Sequence, residues 1–117
     1  MSVAGLLHKL KHVTGLPMFR GGANVETLSG AKTLVVSDKI CQKLDPGGSG
    51  RDVNLPAEAA SNGLGFIITN AADAAEALTV KNDGGSTIAS VAQNESVHVV
   101  CDGTTWVHMG IVTIALS

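Results

Sequence analysis

The sequence predicts an all-β fold, an antiparallel β-sandwich or barrel of the jelly-roll kind, with a short N-terminal helical or extended arm. Three observations support this prediction. From Asn24 onward, apolar residues alternate with polar ones in short runs, which is the period of a half-buried strand. These runs recur at intervals of roughly 8–12 residues between turn-forming residues. Two turn signals, Asn82-Asp83-Gly84-Gly85 and Asp102-Gly103, lie between alternating segments, as hairpin turns do.

The composition predicts a single domain with an unusually uncharged surface. The chain has 117 residues, of which 44% are hydrophobic and 15% are charged, compared with about 25% charged residues in an ordinary soluble domain. A surface poor in charge indicates association with other subunits. Residues 1–22 carry three basic residues and no acid, a charge of +3, whereas residues 23–117 carry five basic and ten acidic residues, a charge of -5. We therefore divide the chain into an arm, 1–22, and a β-sandwich body, 23–117.

The arm begins with a predicted amphipathic helix from Ser2 to Thr14. Ser2 can cap its start, Gly15 can end it and Pro17 prevents its continuation. A helix of this length is marginal in isolation, so its apolar face must dock on its own body, on a neighbouring copy or on another protein. That face comprises Val3, Leu6, Leu7, Leu10 and Val13, and His8, Lys9, Lys11 and His12 lie on the other side.

The body is predicted to contain about seven to nine short strands. The dense apolar run GLGFIITNAA predicts a strand buried on both faces, EALTVKNDGGSTIASVAQ predicts a hairpin, and ESVHVVCDGTTWVHMGIVTIALS predicts a second hairpin followed by a terminal strand. The stretch LPAEAASNG can hold one helical turn, and DPGGSG is a loop by composition. No internal repeat is evident.

The predicted core includes the only tryptophan of a chain without tyrosine. An indole can bury up to about 250 Å², a large share of an aromatic-poor core. We therefore interpret this residue as the side chain that closes a hairpin, in preference to a binding-site residue. The core residues predicted from alternation are Phe66, Ile68, Val97, Val99 and Trp106. Cys41 and Cys101 are interpreted as buried thiols, with a single disulfide left open.

Sequence motifs for chemistry are weak, and we predict neither enzymatic activity, nor a cofactor, nor a bound metal. The DPGGSG loop lacks the Gly-Lys-Ser/Thr of a phosphate-binding loop. His8 and His12 have metal-compatible spacing but no further ligand nearby, and neither His98 nor His108 has a partner at a motif spacing. An acidic body without a basic, aromatic stripe argues against nucleic-acid binding. No apolar run reaches the roughly 18 residues of a membrane span, so we expect no membrane association and synthesis in the cytoplasm.

Four segments in order, RDVNLPA, GLGFIITNAA, LTVKNDGGSTI and ESVHVVCDGTTWVH, give the chain a family resemblance. They resemble β-structured modules of tailed-bacteriophage virion proteins, in which one strand ends in Leu-Pro, a later strand carries Phe-x-Ile-x-Asn, and a hairpin ends in Asp-Gly-x-x-Trp. The resemblance covers about half of the chain. The matching positions are Val53, Leu55, Pro56, Gly65, Phe66, Ile68, Asn70, Leu78, Thr79, Val80, Val97, Val99, Asp102, Gly103 and Trp106.

The resemblance implies a function without catalysis. Such modules occur in tail fibres, tail-associated proteins and head decoration (cement) proteins, usually as trimers. A single module with an apolar, basic arm and no shaft is most similar to a decoration protein, which implies a homotrimer on the outer capsid surface of the virion that binds the major capsid protein. The implied capsid-binding residues of the arm are Leu6, Leu7, Leu10, Val13, Phe19 and Arg20. The alternative is a small tail or fibre-associated module that binds a host receptor or glycan.

Overall fold

The structure, a computed structural model, describes residues 21–115, and this part of the chain is built of β-strands with one short helical turn. The β-rich character predicted from the sequence is therefore confirmed. The strands are β1 (Ala23–Thr27), β2 (Lys32–Thr33), β3 (Cys41–Asp45), β4 (Arg51–Asn54), β5 (Gly65–Asn70), β6 (Leu78–Lys81), β7 (Thr87–Val91), β8 (Glu95–Cys101) and β9 (Trp106–Thr113). A 3₁₀ turn, Glu58–Ala60, lies in the segment that was expected to hold one helical turn.

The strands form two mixed sheets that do not close into a barrel. Sheet A has the order β1-β3-β5-β8-β9, and sheet B has the order β2-β4-β6-β7. The first six strands alternate between the sheets, so the chain winds through three successive coils that stack β1, β3 and β5 in one sheet and β2, β4 and β6 in the other.

The predicted antiparallel jelly-roll arrangement is wrong for four of the seven strand pairings. The pairs β1–β3, β3–β5, β2–β4 and β4–β6 are parallel, and the pairs β5–β8, β6–β7 and β8–β9 are antiparallel. Alternation of side chains has the same period in both kinds of sheet, so the apolar pattern could not distinguish them. The two hairpins expected from the turn signals are the antiparallel pairs β6–β7 and β8–β9.

The coils differ in length, which explains why no repeat is visible in the sequence. Ala23 pairs with Cys41, and Cys41 pairs with Ile67, so successive coils of sheet A are 18 and 26 residues long. The longer coil contains the 3₁₀ turn between β4 and β5. A repeat architecture is recognised from a fixed period, and this chain does not keep one.

The core is one apolar cluster with members from both sheets. Its fully buried side chains include Leu44, Val53, Phe66, Ile68, Leu78, Val80, Val91, Val97 and Val99. Strand β5 contributes alternate residues to this core, and its other face is half-buried. The expectation that β5 is buried on both faces is therefore wrong, because no strand or helix of residues 21–115 packs on the outer face of sheet A.

Candidate interaction surface

The structure places all five predicted core residues, Phe66, Ile68, Val97, Val99 and Trp106, in the interior, each at most 3% exposed. The ring centroids of Trp106 and Phe66 lie 6.1 Å apart at an interplanar angle of 28°. The indole Nε1 donates a hydrogen bond of 2.9 Å to the carbonyl oxygen of Pro56. The indole ring is thus buried and its N–H group is hydrogen-bonded inside the protein, which makes Trp106 a structural residue.

The turn that precedes Trp106 is held by the side chain of Asp102. Its Oδ1 accepts hydrogen bonds from the backbone N–H groups of Thr104 at 2.9 Å and Thr105 at 2.8 Å. Hydrogen bonds from the N–H groups of Thr105 and then Thr104 lower the pKa of this carboxyl, because they stabilise its ionised form. Gly103 follows with a φ of 93°, a conformation that glycine adopts at little cost. The pair Asp102-Gly103 therefore sets the position at which β9 begins.

Strand β9 is the exposed edge of sheet A. Trp106 is buried, but every residue from Val107 to Thr113 is exposed. The segment from Gly103 to Ser117 contains no Asp, Glu, Lys or Arg. Edge strands of soluble proteins commonly carry charged residues that prevent pairing with other chains, and β9 lacks this protection. We call its outer backbone edge, with the exposed side chains of Val107, Met109, Ile111 and Val112, the β9 edge.

A bulge divides β9 into two halves. The register with β8 shifts between Val97 and Val99, and Gly110 has a φ of 106°. The N–H group of Gly110 donates a hydrogen bond of 3.2 Å to Nδ1 of His108. A bulge of this kind bends a strand and increases its twist. A partner strand can therefore pair with only one half of β9, unless it has a matching bulge of its own.

The outer face of sheet A is also poor in charge. Residues in register across β1, β3, β5 and β8 form a line that we call the outer row: Ala23, Cys41, Ile67 and His98. All four are exposed or half-buried, and none is an acid, a lysine or an arginine. In the adjacent line of Val25, Lys43, Thr69 and Ser96, only Lys43 is charged.

The two histidines of the body lie on the neighbouring strands β8 and β9 of sheet A. His98 faces outward from β8, opposite Ile67, and His108 is exposed on β9. Within residues 21–115, the ion pairs are Lys32–Glu26 and Lys81–Asp52, at 2.9 and 3.0 Å, so neither histidine is paired with a carboxylate there.

An acidic cluster joins residues that the sequence keeps apart. Carboxylate oxygens of Asp45, Asp73 and Glu76 lie within 4.8 Å of one another, since the end of β3 meets the loop between β5 and β6. Glu76 Oε1 is buried and has no hydrogen-bond partner in the described part of the chain. Sequence spacing gave no signal for this cluster. Of the three residues only Asp73 is exposed, and clusters of acidic groups are common without an ion, so the cluster assigns no metal.

The capsid-binding residues expected in the arm, Leu6, Leu7, Leu10, Val13, Phe19 and Arg20, lie outside the described residues.

The two cysteines of the body are free, with Cys101 buried and Cys41 half-buried. They lie on opposite faces of sheet A. Cys41 belongs to the outer row, whereas Cys101 follows the outward-facing Val100 and therefore points to the inner face.

No protein-family model matches the chain, and no curated protein is similar to it at a significant level. Between residues 21 and 115, no helix has the length and apolar character needed to cross a membrane.

Proposed function

We propose that this protein is a non-catalytic virion protein that decorates and stabilises the exterior of a bacteriophage capsid. In this proposal it is a homotrimer whose copies bind the major capsid protein through the arm. The observation that supports it best is the β9 edge, an uncharged strand of eight residues at the border of sheet A. A protein that functions inside an assembly can keep such an edge because other chains cover it.

The physical argument begins with the hydrogen bonds that an edge strand leaves free. Alternate N–H and C=O groups of β9 point away from β8 and find partners only in water or in another strand. Three side chains around them, Val107, Met109 and Val112, are 49%, 68% and 59% exposed. Contact with a second copy removes these apolar groups from water at about 25 cal/mol per Å². Burial of these side chains therefore favours self-association through the β9 edge.

The arm supplies the second contact that the proposal requires. A stable, specific interface buries about 1,600 Å² in total, which is a large area for a small body. Residues 1–22 add an apolar stripe and three positive charges to a body with five more acidic than basic residues. We assign the contact with the capsid protein to Leu6, Leu7, Leu10, Val13, Phe19 and Arg20.

The experiment combines capsid sedimentation with measurement of oligomeric state. Purified expanded capsids that lack the protein are mixed with the full chain, and co-sedimentation is measured. We expect the full chain to sediment with the capsids and the Phe19→Ala/Arg20→Ala variant to lose most of this binding. The matched control is Lys39→Ala, which removes a positive charge from the body. Equal binding by both variants would refute the role of the arm.

Light scattering on a sizing column tests the β9 edge. Val107→Lys/Met109→Lys should convert the trimer to smaller species, because it places charges on the uncharged edge. Ala59→Lys/Ala60→Lys is the control, since it adds two charges at exposed positions of the 3₁₀ turn, outside both edge strands of sheet A. A full chain that is monomeric at all concentrations would contradict the proposed trimer. Specific binding to a glycan array, without capsid binding, would favour the tail-associated alternative.

A further inference from the structure

The two most exposed large apolar side chains of residues 21–115 lie on opposite edges of one sheet. Val25 on β1 is 71% exposed and Met109 on β9 is 68% exposed, and in this part of the chain β1 and β9 are the border strands of sheet A. We call the outer backbone edge of β1, with the exposed side chains of Ala23, Val25 and Thr27, the β1 edge. A contact that joins the β9 edge of one copy to the β1 edge of another covers both apolar side chains, whereas a contact between two β9 strands leaves Val25 in water.

The strand directions allow sheet A to continue from one copy to the next. β1 runs parallel to β3 and β5, and the two antiparallel steps from β5 to β8 and from β8 to β9 restore the same direction. A rotation about an axis along the strands preserves that direction, and each contact of a cyclic oligomer joins two different surfaces. β9 of one copy can therefore lie parallel to β1 of the next.

The free backbone groups of the two edges are in step for such a pairing. Leu28 N–H donates to β3, so by alternation Val25 directs its own N–H and C=O groups outward. The C=O group of Thr105 bonds within the β8–β9 turn, so Trp106 and His108 direct theirs outward from β9. Val25 can then donate to the C=O group of Trp106 and accept from the N–H group of His108, as in a parallel ladder.

One register pairs the whole first half of β9 with β1. This half, residues 106–109, precedes the bulge, and β1 keeps an unbroken register with β3. Because paired residues lie on the same face of a sheet, the register can change only in steps of two residues. The register that uses all four residues of the half sets residues 24–27 beside them, with Val25 opposite Val107 on the outer face.

The same register places Glu26 opposite His108. Gly110 N–H donates to His108 Nδ1 at 3.2 Å, so the neutral imidazole carries its proton on Nε2 and can donate from there. The carboxylate of Glu26 accepts hydrogen bonds from Asn24 and Lys32 at Oε1, so Oε2 can accept from the imidazole. Complementary polar pairs directly across two strands are stabilising. A second β9 strand offers no such acceptor, because it contains no acid.

We propose that β9 of one copy pairs in parallel with β1 of the next copy, with Val25 beside Val107 and Glu26 beside His108. The occupant of the β9 edge is thus a second copy of this chain, bound through its β1 edge. Repeated contacts of this kind close into a ring when the rotation between copies allows it. A ring of three copies rests on the proposed function, whereas the pairing itself does not.

Cross-linking between introduced cysteines tests the pairing. In the full chain with Cys41→Ser, we would co-express Val25→Cys and Val107→Cys as separate copies and treat the purified protein with a short bifunctional maleimide. Adjacent strands lie about 4.8 Å apart, within reach of the reagent, and the native Cys101 is only 3% exposed. Nearly all cross-linked product should contain one copy of each variant, with the linked peptides identified by mass.

The matched control replaces Val25→Cys by Asp83→Cys, an exposed position at the tip of the β6–β7 hairpin, and should give no cross-link with Val107→Cys. Circular dichroism spectra would establish that each variant is folded. Cross-links between two copies of Val107→Cys would show that β9 pairs with β9 and would overturn the inference. Absence of cross-links between Val25→Cys and Val107→Cys would also overturn it.

The charge at position 108 tests the register. His108→Glu places a like charge opposite Glu26, whereas His108→Lys places an opposite charge there. Both variants add one charge to the β9 edge, so their difference isolates the contact with Glu26. The oligomer of His108→Lys should dissociate at a protein concentration roughly fivefold lower than that of His108→Glu. Equal dissociation of the two variants would refute the register.

Capsid sedimentation remains a separate measurement. Cross-links between Val25→Cys and Val107→Cys in a protein that does not bind capsids would refute the proposed function alone. Capsid binding by a protein without these cross-links would refute this inference alone.

Discussion

The indole Nε1 of Trp106 donates a hydrogen bond of 2.9 Å to the carbonyl oxygen of Pro56. This bond joins the first residue of β9 in sheet A to the segment that follows β4 in sheet B, across 50 positions of sequence. Because the ring of Trp106 also stacks on Phe66, one side chain connects the last hairpin, the centre of sheet A and the chain between the sheets.

Trp106→Ala should lower the free energy of unfolding by about 3–5 kcal/mol, the range for loss of a large buried aromatic side chain. Trp106→Phe keeps an aromatic ring beside Phe66 but loses the donor to Pro56, so we expect a smaller loss. The measurement is urea unfolding followed by circular dichroism, since the chain has no other tryptophan and no tyrosine for fluorescence. Wild-type stability in Trp106→Ala would contradict a core role.

Asn70 is a fully buried amide whose hydrogen bonds are all internal. Its Nδ2 donates to the carbonyl oxygens of Glu76 and Val91 at 2.8 and 2.9 Å, and its Oδ1 accepts from the N–H group of Ala72 at 2.9 Å. Asn70→Ala leaves these groups without partners, each at a cost of about 1–3 kcal/mol where it stays buried. The variant should therefore be among the least stable single substitutions in urea unfolding.

Gln93→Ala is the control for Asn70→Ala. Gln93 Nε2 donates one hydrogen bond, of 3.1 Å, to the carbonyl oxygen of Ala72 in the same loop. Loss of one such bond costs about 1 kcal/mol, so Asn70→Ala should be clearly less stable than Gln93→Ala. Equal stability of the two variants would show that water replaces the partners of Asn70.

Asp102 should make stability depend on pH in the acid range. Its pKa is lowered in the folded protein by the N–H groups of Thr105 and Thr104. A lowered folded-state pKa stabilises the fold above the unfolded value of about 3.9, and this stabilisation is lost as the pH falls through the folded-state pKa. Asp102→Asn should thus be less stable than the wild type at pH 7 and equally stable once Asp102 is protonated. The measurement is thermal unfolding from pH 7 down to the acid limit of folding.

Asp102→Ala separates the charge from the turn geometry. Alanine has no oxygen to accept hydrogen bonds from the two threonine N–H groups, so this variant should be less stable than the wild type at every pH. A constant difference between the wild type and Asp102→Asn over the whole pH range would show that the ionised carboxylate does not contribute.

Two neighbouring glycines should respond differently to alanine. At Gly47, with φ of 76°, an added Cβ would clash with the backbone oxygen of Leu28, whereas at Gly48, with φ of 117°, it would meet nothing within 4 Å. Gly48→Ala should cost roughly 1–2 kcal/mol of backbone strain, and Gly47→Ala should cost more because the loop must also move. The control is Gly30→Ala, where φ is not positive and no atom lies within 4 Å. Equal loss at positions 47 and 48 would mean that the clash is relieved without cost.

Much of the local structure could be predicted from the residues themselves. The two hairpins form at Asn82-Asp83-Gly84-Gly85 and Asp102-Gly103 because these residues adopt tight turns easily, and the side chain of Asn82 accepts a hydrogen bond from Ser86 N–H in the first of them. Alternation also placed Val97 and Val99 inward and His98 outward. The acidic cluster could not be predicted, since Asp45 meets Asp73 and Glu76 only through the packing of distant loops.

The sequence by itself determined that this chain forms short strands, where its hairpins turn and that Trp106 belongs to the core, since each depends on neighbouring residues or on an alternation within one strand. Only the tertiary structure decided that β1, β3 and β5 run parallel. Parallel and antiparallel neighbours require the same alternation of side chains, so the choice rests on contacts between residues at least 18 positions apart, such as Ala23 and Cys41. The same packing left β9 at the edge of its sheet and the outer row without a described cover.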